Sequence, residues 1–117
     1  SSLLNTAKGL EYSDNDPDFY RELLRLFTEE APKSLERLSS ALADNDLELY
    51  TTLVHGLKNN ARGIGADSAG ELCFEAEQTA RAGNAAPLPE LHLKIEQAIT
   101  EAAAEAARLS EAEKITQ

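Results

Sequence analysis

His55, Lys58, Asn59 and Arg62 lie three, four and seven positions apart in VHGLKNNARGIGA, residues 54–66. At about 100° per residue, these side chains fall within roughly 60° of the His55 direction, as do Glu48, Thr51 and Thr52. Leu57, Ala61 and Ile64 point the other way. The spacing therefore predicts a helix with His55 in the middle of a polar face. An exposed imidazole is partly neutral near pH 7, so one ring nitrogen is free to act as a nucleophile. Lys58 and Arg62, one and two turns along, offset the charge of an anionic group arriving at the ring. No serine, cysteine or carboxylate motif marks a hydrolytic site, and no glycine-rich loop marks nucleotide binding. A lone histidine with cationic helpers suits transfer of a charged group that another protein activates. Phosphoryl transfer fits, because it needs positioning and charge neutralisation more than acid–base chemistry. Other readings are an ordinary solvated histidine on a helical interaction domain, or a metal-binding or enzymatic bundle. The last needs inward carboxylates with Glu-x-x-His pairs, and His92 is the only other histidine.

These residues need a scaffold. The chain has 117 residues, enough for one domain with its own core over about residues 10–109. A single cysteine, Cys73, excludes an internal disulfide and reads as a small apolar residue. No Cys/His cluster suggests a metal. The formal net charge of −10 repels phosphate backbones and disfavours nucleic-acid binding. No apolar run is long enough to span a membrane and no signal peptide is visible, so a cytoplasmic setting is expected without direct membrane contact.

Alanine, leucine and glutamate dominate, and the class is all-α. A short entry helix is expected over residues 3–8, stopped near Gly9. Asp16 caps a second helix with Pro17 in its first turn. Phe19, Leu23, Phe27 and Ala31 form its stripe, with Tyr20, Leu24 and Leu26 beside them. Pro32 breaks or kinks it, and Leu35, Leu38, Ala41 and Leu42 resume the pattern. The Asp44-Asn45-Asp46 segment ends that element and caps the next. A third helix over Leu47–Arg62 buries Tyr50, Val54, Leu57, Ala61 and Ile64, and Gly63 and Gly65 end it. A fourth over Asp67–Ala82 turns Ala69, Leu72, Cys73, Ala76 and Ala80 inward, closed by Gly83 and Asn84. The last carries Leu88, Leu91, Ile95, Ile99, Ala102, Ala106 and Leu109, and residues 110–117 fray. Short connections between amphipathic helices imply an antiparallel four-helix bundle with a short N-terminal helix. Glu71, Glu75, Glu101, Glu105 and Glu111 read as a solvated face. His92 reads as an edge position of the last helix, without a role.

The sequence resembles the histidine-containing phosphotransfer (HPt) domains of bacterial multistep phosphorelays. The carriers are His55-Gly-Leu-Lys58-Asn59 followed by Ile64-Gly65-Ala66, with flanking similarity over residues 9–27 and 71–84. Glu77 stands at an acidic position of that pattern. The resemblance implies that His55 accepts a phosphoryl group from a receiver-domain aspartate and passes it on. It also implies that Lys58 neutralises charge. The chain is then a phosphocarrier rather than an enzyme, a monomer without a cofactor of its own, since magnesium belongs to the receiver. The partners that the resemblance implies are response-regulator receiver domains, with a parent hybrid sensor kinase as a further candidate. One departure stands out: Asn59 occupies a position that is commonly glycine. Thr51, Thr52, Asn59, Arg62 and Phe74 are the expected receiver contacts. Phe74 points away from the inward stripe of its helix, near the level of His55. It serves either as an apolar rim for docking or as packing against a neighbouring helix.

Overall fold

The computed structural model describes residues 3–112. Five helices follow in order: α1 (Thr6–Tyr12), α2 (Pro17–Ala43), α3 (Leu47–Gly63), α4 (Asp67–Arg81) and α5 (Leu88–Ser110). Helices α2 to α5 form the bundle. α3 packs most extensively on α4, and α2 on α5. The bundle and its short N-terminal helix are thus as the sequence implies. The expected fraying of 110–117 lies mostly outside the described residues.

Caps set the starts of the elements that matter for the site. Asp16 accepts from the backbone N–H of Asp18 at 3.0 Å and of Phe19 at 3.2 Å, with Pro17 opening α2. Asp46 accepts from the N–H of Leu49 at 3.0 Å and starts α3. Each side chain satisfies a donor that the first helical turn leaves without a partner.

The sequence reading places α1 too early. It runs from Thr6 to Tyr12, with Gly9 buried inside it rather than ending it. Gly9 is there because the α2 ring of Tyr20 lies against it, and a methyl group at Gly9 would sit 2.4 Å from Tyr20 Cε1. α2 also runs unbroken through Pro32. Ala31, Leu38 and Ala41 are buried on the two sides of the proline. Burial along both halves outweighs the roughly 3 kcal/mol that an interior proline costs. The inward stripe of α2 is Tyr20, Leu24, Phe27 and Ala31, while Phe19 and Leu26 are exposed and Leu23 is half-buried. The stripe starts one residue later than the spacing-four count suggests. On α4, Leu72 packs at the margin of the core and not within it. Glu105 is not part of the solvated face; its side chain is 14% exposed and pairs with Arg108.

The turn after α3 fixes the end of the histidine helix. Gly65 has φ +87°, and a Cβ there would lie 2.2 Å from the carbonyl oxygen of Asn5. The Asn5 N–H donates to the Gly65 carbonyl at 2.9 Å, and the Tyr20 hydroxyl donates to the Ile64 carbonyl at 2.8 Å. The segment before α1 and helix α2 thus both clamp the α3–α4 turn.

His92 is buried and belongs to the core, contrary to the edge position expected of it. Its Nε2 lies 2.9 Å from Ser39 Oγ and its Nδ1 lies 3.0 Å from Tyr50 Oη. It sits on the repeat of Leu88, Leu91, Ile95 and Ile99, so helix geometry carries it inward. Partners on α2 and α3 engage both ring nitrogens. Burial holds its pKa below the ordinary histidine value, against a smaller upward pull from Glu96.

Candidate functional site

α3 brings His55 to the surface and α4 supplies what lies behind it. The His55 side chain is 51% exposed, while Glu77 beneath it is 2% exposed. His55 Nδ1 lies 2.6 Å from Glu77 Oε2. Lys58 Nζ donates to Glu77 Oε1 at 2.6 Å, and Arg81 Nη2 donates to Oε2 at 2.9 Å. A single carboxylate from α4 therefore receives the ring, an ammonium and a guanidinium.

This arrangement fixes the ring's tautomer. A buried carboxylate only accepts, so the proton of the neutral imidazole resides on Nδ1. The Lys58 Nζ to His55 Nδ1 distance of 3.4 Å is then the separation of two donors to the two oxygens of one carboxylate, not a bond between them. Nε2 keeps its lone pair and faces outward. Asn59 Nδ2 stands 3.3 Å from it. Burial pushes the Glu77 carboxyl up, but hydrogen bonds from Lys58 and His55, and their charges, outweigh that and hold it below the usual carboxylate range.

Lys58 departs from the sequence reading. It is 8% exposed, not an open surface cation, because its ammonium dips between α3 and α4 to reach Glu77. Its stem is long enough to leave the polar face on which its Cα lies. Arg62 turns onto α4. A methyl group at Gly70 would lie 2.8 Å from its Cγ, and its guanidinium pairs with Glu71 at 3.3 Å. Phe74 is 40% exposed and joins the same group. Its ring centroid lies 5.6 Å from Lys58 Nζ and 5.5 Å from Arg62 Cζ. The ring is thus a platform for two cations of the site.

Thr51 and Thr52 lie toward the start of α3. Their hydroxyls donate to the Leu47 carbonyl at 2.7 Å and the Glu48 carbonyl at 3.3 Å. Together with Glu48, Ala80 and Arg81 they line a shallow depression. On the other side, Asn59 borders a groove between α2 and α3 lined by Leu23, Leu26, Phe27 and Leu57.

Glu77 and Arg81 are the site residues that sequence reasoning leaves without a role. A signal for Glu77 exists: Cys73, Ala76, Glu77 and Ala80 share one buried stripe, so a carboxylate there must find cations. Arg81 follows from it, one turn on.

Residues 22–105 match the family model described as Hpt domain. Solved structures share the fold. The histidine-containing phosphotransfer protein B (HptB) of Pseudomonas aeruginosa PAO1 superposes with a TM-score of 0.86 at 22% identity, covering 95% of this chain and 96% of that one. The HPT domain of a sensor hybrid histidine kinase from Shewanella gives 0.85 at 20% identity, covering 96% and 97%. At these identities the likeness is one of fold. Among curated proteins, none matches.

Proposed function

The chain belongs to the Hpt domain family, and from that premise we propose that it is a phosphocarrier of a multistep phosphorelay with His55 as its phosphoacceptor. The observation that carries this reading is the outward Nε2 lone pair of His55, set by a buried carboxylate at Nδ1. Nε2 attacks the phosphorus of an aspartyl phosphate on a receiver domain. The phosphorus–oxygen bond breaks and its electron pair leaves on the aspartate carboxylate. Nε2 holds no proton, so none has to depart. The ring gains positive charge as the new nitrogen–phosphorus bond forms, and Glu77 offsets it through Nδ1–H. The reverse sequence passes the group to a second receiver.

Lys58 has two parts in this account. It holds Glu77 Oε1, which aims Oε2 at the ring. Its charge also helps to balance the incoming phosphoryl group. The chain supplies no phosphodonor of its own and acts as substrate and donor, not as a kinase. Receiver domains in the cytoplasm, those of a parent hybrid kinase among them, are its partners and dock over Thr51, Thr52, Asn59, Arg62 and Phe74. Among the described residues no helix is long and apolar enough to cross a membrane.

Incubation with a phosphorylated receiver domain, followed by intact mass measurement, tests the reading. One acid-labile phosphoryl group per chain is expected. An unmodified mass, with the receiver still losing phosphate at its own rate, leaves the alternative of a helical interaction domain with an inactive histidine.

A further inference from the structure

We propose that Asn59 gates the nucleophile: its side-chain amide caps the Nε2 lone pair of His55 and shields it from small phosphodonors. The inference rests on the assignment of Nε2 as the attacking atom. Glu77 fixes the ring's proton at Nδ1, so Nε2 accepts. Asn59 Nδ2, one turn further along α3, is placed to donate to it at 3.3 Å. A lone pair engaged in that bond is not free to form one with phosphorus, so the amide must swing aside before attack. Asn59 has room to do so, because it is exposed. It also borders the groove between α2 and α3. A receiver domain that reaches Nε2 brings a surface wide enough to touch that border and draw the amide away. A small phosphodonor brings no such surface. It reacts only in the fraction of molecules whose amide has already turned.

The probe is phosphoramidate. Nε2 forms a bond to its phosphorus, the phosphorus–nitrogen bond breaks, and ammonia leaves with the electron pair. Two readouts on Asn59→Ala decide the matter. In 15N-labelled protein, the pyridine-type Nε2 resonance of His55 should move downfield when the donor is removed. The rate of phosphorylation by phosphoramidate should rise about five-fold, the factor that corresponds to one ordinary hydrogen bond. The position is exposed, and an unchanged helical circular dichroism signal confirms that the variant folds. If either the Nε2 resonance or the phosphoramidate rate stays at its wild-type value, Asn59 is no gate. Neither readout uses a receiver, so failure of the relay reading and failure of the gate remain distinct results.

Discussion

Lys58 Nζ and Glu77 Oε1 are 2.6 Å apart, with the lysine side chain 10% and the glutamate side chain 2% exposed. This pair links α3 to α4 directly behind the His55 ring. An exposed ion pair contributes roughly 0.2–1 kcal/mol. Breaking a buried one leaves the remaining charge without its partner and costs about 3–5 kcal/mol. Arg81 still serves Glu77 in a Lys58→Ala variant, which sets the cost at the lower end of that range. The melting temperature should fall by roughly 10 °C, and transfer to His55 should slow as well. Thermal denaturation with an unchanged midpoint would show that the pair is solvated.

Glu77 makes acid sensitivity a second consequence. Its folded-state pKa lies below its ordinary value of 4.5. A depressed carboxylate contributes stability that is complete above the unfolded value and is lost as pH falls through the folded one. Wild-type protein should therefore lose stability progressively below about pH 4.5, and Glu77→Gln should lose less over the same range. At neutral pH the same variant is less stable than wild type, because Lys58 is left buried opposite an uncharged amide. Urea midpoints measured against pH for both proteins give the comparison. Parallel curves would remove Glu77 from the acid response.

His92 acts in a different window. Its pKa is lowered from 6.5 by burial. Above that value neither the folded nor the unfolded chain binds the proton. Below it the unfolded chain does and the folded one does not, so folding stability declines as pH drops from about 6.5 toward the folded value. Glu96 on α5, Tyr50 on α3 and Ser39 on α2 are the groups that face the ring. His92→Gln should flatten this part of the curve while leaving the lower limb, due to Glu77, in place. A decline of undiminished slope in the variant would contradict the assignment.

Phe74 carries the fourth prediction. Its ring supports Lys58 and Arg62, and partly exposed contacts of this kind contribute about 0.5–1 kcal/mol each. Phe74→Ala should lower stability by about 1–2 kcal/mol and weaken receiver affinity, because Arg62 loses its platform at the docking face. Titration calorimetry against a receiver domain, with a melting curve beside it, separates the two effects. A large loss of stability with normal affinity would reduce Phe74 to packing.

Much of the scaffold is legible in the residues themselves. Asp16, Asp46 and Gly65 announce helix ends through local chemistry, and the Tyr50, Val54, Leu57, Ala61 and Ile64 stripe orients α3. The polar face around His55 is legible for the same reason. What sequence periodicity misses is set across helices. Gly9 reads as a stop signal until Tyr20 of α2 lies against it. Lys58 reads as exposed because a helical wheel places Cα atoms, whereas the ammonium sits a full stem away beside Glu77. His92 reads as marginal because its partners, Ser39 and Tyr50, are distant in sequence. Pro32 looks like a break because local cost is visible in sequence and the burial that outweighs it is not.

In the proposed relay, Nε2 of His55 carries the phosphoryl group. After transfer from a phosphorylated receiver to 15N-labelled protein, tandem mass spectrometry locates the modified residue. One-bond coupling between 31P and 15N identifies the ring nitrogen. A single phosphohistidine at His55, bonded through Nε2, is expected, with no label in His55→Gln. Phosphate on His92, or bonded through Nδ1 of His55, would contradict it.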